Sequence, residues 1–109
     1  MKEEPTYPLP VQKVQVCAWR VKYYIELSAP LSAAAWQAMR DTWVGSRLEV
    51  TPLPNGEVLY QLALPEKKGS LLGSSASAGL YAILARPEAE TLLPHVIETL
   101  WLHDVGAGG

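Results

Sequence analysis

The sequence lacks several features that would assign it to a functional class. Its 109 residues contain one cysteine, Cys17, and no phenylalanine, and its formal net charge is -2. A single cysteine cannot form an internal disulfide, which is compatible with a reducing compartment. The only adjacent basic residues are Lys67 and Lys68. The basic stripe typical of nucleic-acid-binding proteins is therefore missing, and we expect no nucleic-acid partner.

Long apolar runs are missing too. No run approaches the roughly 18 residues that a transmembrane helix requires, so we expect no membrane partner. The first ten residues combine acidic residues with three prolines, where an export signal would carry an apolar core. These features predict a cytoplasmic protein. Apolar residues make up 49% of the chain and charged residues 18%, which is typical of a single folded domain of this length.

The clearest feature that is present lies in residues 47–64, two alternating runs joined by Pro54-Asn55-Gly56. Asn-Gly alone would indicate a two-residue hairpin turn, but that register places polar residues opposite apolar ones. A three-residue loop suits the proline and the glycine and gives the hairpin one apolar face. We therefore predict this loop, with the Pro52-bearing strand at a sheet edge. The predicted apolar face consists of Leu48, Val50, Val58, Tyr60 and Leu62.

Other segments give simpler patterns. Residues 11–27 alternate and predict one long strand, with a bulge or two-sided burial where the apolar phase changes before Trp19. Residues 31–44 carry an apolar residue at every fourth position, which predicts a helix.

The second half of the chain is less regular. Residues 65–78 are rich in glycine and serine and predict a loop. Residues 79–85 are short and apolar and favour a strand. A second helix is expected to open at Pro87, and Pro94 predicts either a kink or two short helices that meet there.

The element order is therefore β-α-β-β-(β)-α. It predicts an α+β fold, a mostly antiparallel sheet of 3-4 strands with two helices packed on one face. Residues 1–10 are expected to form an extended N-terminal segment, residues 11–104 a single domain, and residues 105–109 a flexible tail.

Residues that could carry chemistry are few. The alternation places Cys17 on the buried face of the first strand, where a core thiol is more common than a nucleophile. His95 and His103 are eight residues apart on the last helix, whereas metal-binding pairs on helices are usually four apart. We expect neither a metal nor another cofactor, and the sequence favours a non-catalytic role.

The aromatic residues are the remaining clue. Four tryptophans and five tyrosines supply apolar area with a polar group, a combination enriched at interfaces. Tyr24 falls on the polar face of the first strand, and Trp36 and Trp101 lie at the margins of their helical stripes. We predict that these three bind a partner.

Two functions follow as hypotheses. The first is a protein-interaction or oligomerisation module, whose partner is another protein or a second copy of the chain. The alternative is a small-molecule-binding domain or small enzyme with a pocket between sheet and helices. That pocket would be lined by Trp19, Tyr23 and Tyr60, with Arg20 or Arg40 binding an acid group.

Overall fold

The structure, a computed structural model, describes residues 7–108, with side chains through residue 104. Most of the predicted N-terminal segment (residues 1–6) lies outside this range, and the predicted flexible tail begins beyond the last described side chain. The elements are β1 Val11–Val16, β2 Arg20–Glu26, α1 Ala33–Thr42, β3 Arg47–Pro52, β4 Val58–Ala63, a 3-10 turn Pro65–Lys67, β5 Gly69–Ser74, β6 Gly79–Ala85 and α2 Ala89–Gly108.

Within residues 7–108 the strands form one six-stranded sheet in the order β1-β2-β6-β5-β4-β3. Every neighbouring pair is antiparallel. The α+β class predicted from the sequence is confirmed, but the prediction of 3-4 strands is wrong. The two additional strands come from residues 11–27 and from residues 65–78.

Residues 11–27 form a hairpin rather than one long strand. The amide of Cys17 donates to the carbonyl of Arg20 at 2.8 Å and closes the turn between β1 and β2. The change of apolar phase before Trp19 therefore marks a chain reversal, although a smaller irregularity also lies between Lys13 and Gln15. The prediction that Cys17 lies on a buried face is wrong, because Cys17 is exposed. Trp19, which was predicted to line a pocket, is 80% exposed at the turn.

The glycine- and serine-rich segment contains β5 because its glycines serve close packing. A Cβ on Gly69 would collide with the backbone carbonyl of Ile83 on β6. A Cβ on Gly73 would lie 2.7 Å from the Trp36 ring. Glycine in a strand often marks such a close approach, so a composition typical of loops here belongs to a central strand.

The β3–β4 hairpin has the predicted register. Leu48 pairs with Leu62 and Val50 with Tyr60, while the amide of Leu53 donates to the carbonyl of Glu57 at 2.8 Å. Gly56 has φ +88, the left-handed conformation that the three-residue loop requires. Both the loop and the edge position of β3 are confirmed.

The helices pack on the sheet face that carries the buried strand residues. Ser32 caps α1 by accepting a hydrogen bond from the Ala35 amide at 3.1 Å, and the helix lies over β3 and β4. Helix α2 lies over β2 and β6 and is continuous through Pro94. We call the sheet face that the two helices cover the inner face. The core between this face and the helices contains the largest fully buried side chains, which are Trp36, Ile25, Met39, Leu62, Leu71, Leu84, Ile97 and Leu100.

Helix α2 is also tied to the loop after β2. The carboxylate of Asp104, which is 9% exposed, accepts a hydrogen bond from the Ser28 hydroxyl at 2.6 Å. It also accepts from the Ser28 amide, with N–O distances of 3.1 and 3.2 Å to its two oxygens. This contact joins residues 76 positions apart and fixes one end of α2 against the sheet.

Candidate functional site

The face of the sheet opposite the helices is uncovered by any described element. We call it the outer face. Its centre is apolar, although an antiparallel sheet with one solvated face usually carries polar residues there. Tyr81 is 39% exposed and Leu59 is 44% exposed, and three further residues are half-buried. The apolar centre of the outer face consists of Tyr24, Leu59, Leu72, Tyr81 and Ile83.

The middle of this face is organised around two tyrosines. Tyr24 on β2 pairs with Tyr81 on β6, and their ring centroids are 5.3 Å apart with an interplanar angle of 59°. The Tyr24 ring lies over Gly79, where a Cβ would collide with the phenol. The ammonium of Lys22 lies 4.5 Å from the centroid of the Tyr81 ring. This cation–π contact and the aromatic pair hold the rings in place.

Next to Tyr81 the outer face has a shallow hollow of about 310 Å³. It forms where small residues of β5 and the following turn lie between larger neighbours. Such a volume accepts one or two side chains of a partner. The side chains lining it include Thr51, Leu59, Gln61, Leu72, Ser74 and Tyr81.

The edges of the sheet are less suited to association than its outer face. Strand β3 carries Pro52, which has no amide proton to donate. Strand β1 has a register shift next to Lys13, and this lysine pairs with Tyr23 and therefore lies on the inner side of an edge strand. Prolines, bulges and inward-pointing charges are the devices that protect sheet edges from pairing with another chain.

A second concave region lies beside α2. Helix α2 does not extend over β1, so a groove of about 690 Å³ remains between this strand and the start of the helix. A smaller hollow of about 270 Å³ shares Lys13, Tyr23 and Glu90 with it and adds Arg86. The groove is lined by Tyr7, Val11, Lys13, Tyr23, Glu90, Leu93 and Pro94.

Tyr23 is the most unusual polar residue of this groove. It is 3% exposed, and its hydroxyl forms no hydrogen bond within the described residues. Burial raises the pKa of the Tyr23 phenol above its ordinary value, and the charges of Glu90 and Tyr7 raise it further. The phenol therefore remains protonated at neutral pH and can donate a hydrogen bond into the groove.

The structure does not bring the predicted binding residues together. Tyr24 lies on the outer face, whereas Trp36 is 1% exposed in the core, stacked on Tyr60 with ring centroids 5.3 Å apart. Trp101 lies on α2 and is 38% exposed, next to Leu102. The two predicted arginines are exposed at separate places: Arg20 starts β2, and Arg40 lies on α1 with its Nε 3.4 Å from Asp41.

The predicted pocket lining also separates. Tyr23 lines the groove beside α2, while Trp19 lies in the β1–β2 turn and Tyr60 packs under α1. The sequence does carry one signal for the outer face, because β6 reads GLYAILA and is apolar at successive positions. An uninterrupted apolar run is typical of a strand that is buried on both faces. The prediction for residues 79–85 named a strand but did not include burial of its second face.

Neither a metal-binding cluster nor a membrane-spanning helix is found among the described residues. No three residues among His, Cys, Asp and Glu in residues 7–104 come together to hold a metal ion. No helix within residues 7–108 is both long and apolar enough to cross a membrane.

The chain matches no protein-family model, no curated protein and no solved structure. Its function must therefore be inferred from the geometry of the outer face and of the groove.

Proposed function

We propose that the protein is a non-catalytic interaction module that self-associates through the outer face of its sheet. The observation that carries this proposal is the apolar centre of the face, where Tyr81 and Leu59 remain about two-fifths exposed although β6 is apolar on both sides. Contiguous exposed apolar patches on small proteins mark association surfaces. The proposal includes the cytoplasmic location expected from the sequence, and it includes no nucleic-acid partner.

The size of the outer face supports a dimer. Six strands spaced about 4.8 Å apart and about six residues long give a projected area of roughly 600 Å². A standard protein–protein interface buries about 800 Å² of accessible surface on each partner. Because side chains make the accessible surface larger than its projection, two copies packed face to face reach this range.

The charges of β2 favour a second copy over an unrelated partner. Lys22 and Glu26 lie on the outer face, on opposite sides of Tyr24. A two-fold axis running across the strands through the row of Tyr24, Tyr81 and Leu72 places Lys22 of one copy opposite Glu26 of the other. The same operation repeats this contact on the other side of the axis, as an isologous interface requires. Sheets packed this way keep their strands nearly aligned.

Light scattering coupled to size exclusion tests the self-association. We expect a concentration-dependent dimer, and Tyr81→Lys should weaken it by at least about thirtyfold because two lysines would meet at the axis. Val44→Lys is the matched control, since Val44 is 86% exposed and lies in the α1–β3 connection. Circular dichroism of each variant checks that the fold is retained. A wild-type monomer at several hundred micromolar overturns the proposal.

Charge reversal tests the pairing itself. Lys22→Glu and Glu26→Lys, each alone, place like charges opposite one another and should weaken the dimer. Mixing the two variant proteins should restore association, because every contact across the heterodimer is again between opposite charges. If the mixture remains monomeric while each variant is folded, the two-fold arrangement is wrong.

A further inference from the structure

We propose that the groove between β1 and α2 binds a small organic carboxylate with an apolar body. This site lies on the inner side of the sheet and does not depend on the self-association proposed for the outer face. It rests on the shape of the groove, on the unpartnered hydroxyl of Tyr23 and on the charges around it.

The groove has the dimensions of a ligand site. Its volume of about 690 Å³ lies within the range of about 300 to 1,000 Å³ typical of small-molecule pockets. The apolar part of the lining is formed by Val11 on β1 and by Leu93 and Pro94 on α2. Leu93 is 4% exposed, so this part reaches into the core. An alkyl or aryl group of a ligand would be removed from water there.

The polar part of the groove offers a hydrogen-bond donor. Tyr23 is 3% exposed, and its hydroxyl has no partner within residues 7–104. Within the described residues, Trp36 Nε1 is the fully enclosed polar side-chain atom that lacks a partner, so the Tyr23 hydroxyl is still reached from the groove and can bond a ligand there. Because burial and neighbouring negative charge raise the pKa of Tyr23, its hydroxyl keeps its proton and is ready to donate to an oxygen of the ligand.

The surrounding charges select an anion. Lys13 and Arg86 are positive and Glu90 is negative, and none of the three forms an ion pair within the residues with described side chains. Arg86 is held in place because its Nη1 donates to the carbonyl of Cys17 at 3.0 Å. The groove itself carries Lys13 and Glu90, and the adjoining hollow adds Arg86, so the balance over the two together is one positive charge near a phenolic donor. One ammonium and one hydroxyl match the two oxygens of a carboxylate.

The experiment uses three probes with the same alkyl chain: octanoate, octylamine and octanol. Titration calorimetry or ligand-observed NMR on the full-length protein measures their dissociation constants. Octanoate should bind with a Kd of about 1 mM or tighter, as expected for a ligand of about ten heavy atoms. Octylamine and octanol should bind at least about fivefold more weakly, because they lack the charge that Lys13 and Arg86 attract.

Variants locate the site by the sign of their effects. Lys13→Gln and Tyr23→Phe should each weaken octanoate binding by about fivefold, the first by removing the charge and the second by removing only the hydroxyl. Glu90→Gln should strengthen it by about threefold, because it removes a nearby negative charge. Lys67→Gln is the matched control: Lys67 is exposed in the 3-10 turn before β5 and lines neither the groove nor the adjoining hollow, so octanoate binding should change by less than about twofold.

Each alternative result decides the question. Equal binding of the three probes would mean that the groove recognises only apolar area, and the proposal would be wrong. Tighter binding of octylamine, with loss of binding in Glu90→Gln, would assign the site to amines instead. A missing octanoate response, or one that Lys67→Gln abolishes and Tyr23→Phe does not, also overturns the proposal. None of these outcomes bears on dimerisation, which light scattering measures separately.

Discussion

The same strands form both faces of the sheet, but the two faces differ in how far their side chains are buried. On the inner face, Leu71 and Leu84 are completely buried under the helices. On the outer face, their sequence neighbours Leu72 and Ile83 are only half-buried. Side chains alternate between the faces of a strand, so the strands β5 and β6 offer apolar area on both sides. The two helices within residues 7–108 cover one side only, and the other side is the apolar surface that no described element covers.

The inner face packs against a buried polar atom that has no hydrogen-bond partner, which costs free energy. Trp36 is 1% exposed, and its indole nitrogen has no hydrogen-bond partner within residues 7–104. On the outer face Tyr81 is 39% exposed, and a side chain of this kind can keep its polar end in water while its apolar part packs. The tryptophan is therefore retained for its packing on Tyr60 and Gly73, which must exceed the cost of its unpaired donor.

The largest effect should come from emptying the inner face. Trp36→Ala removes a completely packed ring and should lower the free energy of unfolding by about 3 to 5 kcal/mol. Leu59→Ala on the outer face removes a side chain that is 44% exposed and should cost less than about 1 kcal/mol in the monomer. Urea unfolding of dilute protein compares the two. Equal losses would contradict the distinction between the faces.

The next largest loss of stability should come from a change in the central strand β5. Gly69→Ala should destabilise the protein by about 2 to 4 kcal/mol, because the new Cβ would collide with the Ile83 carbonyl. Gly56→Ala is the control: Gly56 also has a positive φ, but a Cβ added there would have nothing within 4 Å of it. That variant should lose only the conformational term of about 1 kcal/mol.

If the two glycine variants lost the same stability, Gly69 would be needed for its backbone conformation alone. The explanation of β5 as a closely packed central strand would then fail. Chemical denaturation of both variants under the same conditions distinguishes these outcomes, with circular dichroism to confirm that each is folded at the start.

The fold was predictable where local chemistry and pairing agree. The hairpin of β3 and β4 followed from the register that groups its apolar residues, together with proline and glycine at positions that suit the loop. The strand count was not predictable in the same way. Gly69 and Gly73 have the composition of a loop, and only the positions of Ile83 and Trp36, distant in sequence, explain why they belong to a strand.

The candidate sites were harder to predict than the fold. Trp36 was expected to bind a partner because aromatic residues are enriched at interfaces, but periodicity cannot tell a helix residue at the margin of a stripe from one beneath it. Tyr24 was correctly separated from the buried face by alternation. The pairing with Tyr81, which forms the centre of the outer face, required the strand order.

A smaller effect should follow from releasing α2 from the inner face. Asp104→Ala removes the acceptor of the hydrogen bonds from Ser28 and should cost about 1 to 2 kcal/mol. Ser28→Ala removes only the hydroxyl and should cost about half as much. Hydrogen exchange should show faster opening of α2 in both variants. Unchanged exchange in Asp104→Ala would mean that packing of Leu100 and its neighbours alone holds the helix.

The smallest effect should be a pH dependence of stability that comes from Tyr23 on the inner face. Because burial and the charges of Glu90 and Tyr7 raise the pKa of Tyr23 in the folded state, the folded protein holds this proton more tightly than the unfolded chain. The resulting stabilisation is fully present below about pH 10, the ordinary pKa of tyrosine. It is lost as the pH rises through the folded-state pKa, because stability falls wherever the folded state binds more protons.

Tyr23→Phe lacks this term, so the stability advantage of the wild type over this variant should shrink as the pH rises above about 10. Absorbance of tyrosinate at alkaline pH should show a late phenol ionisation in the wild type that is missing in Tyr23→Phe. Tyr81→Phe on the outer face is the control and should leave that late ionisation in place. If Tyr81→Phe removes the late ionisation instead, the phenol with the raised pKa is not Tyr23.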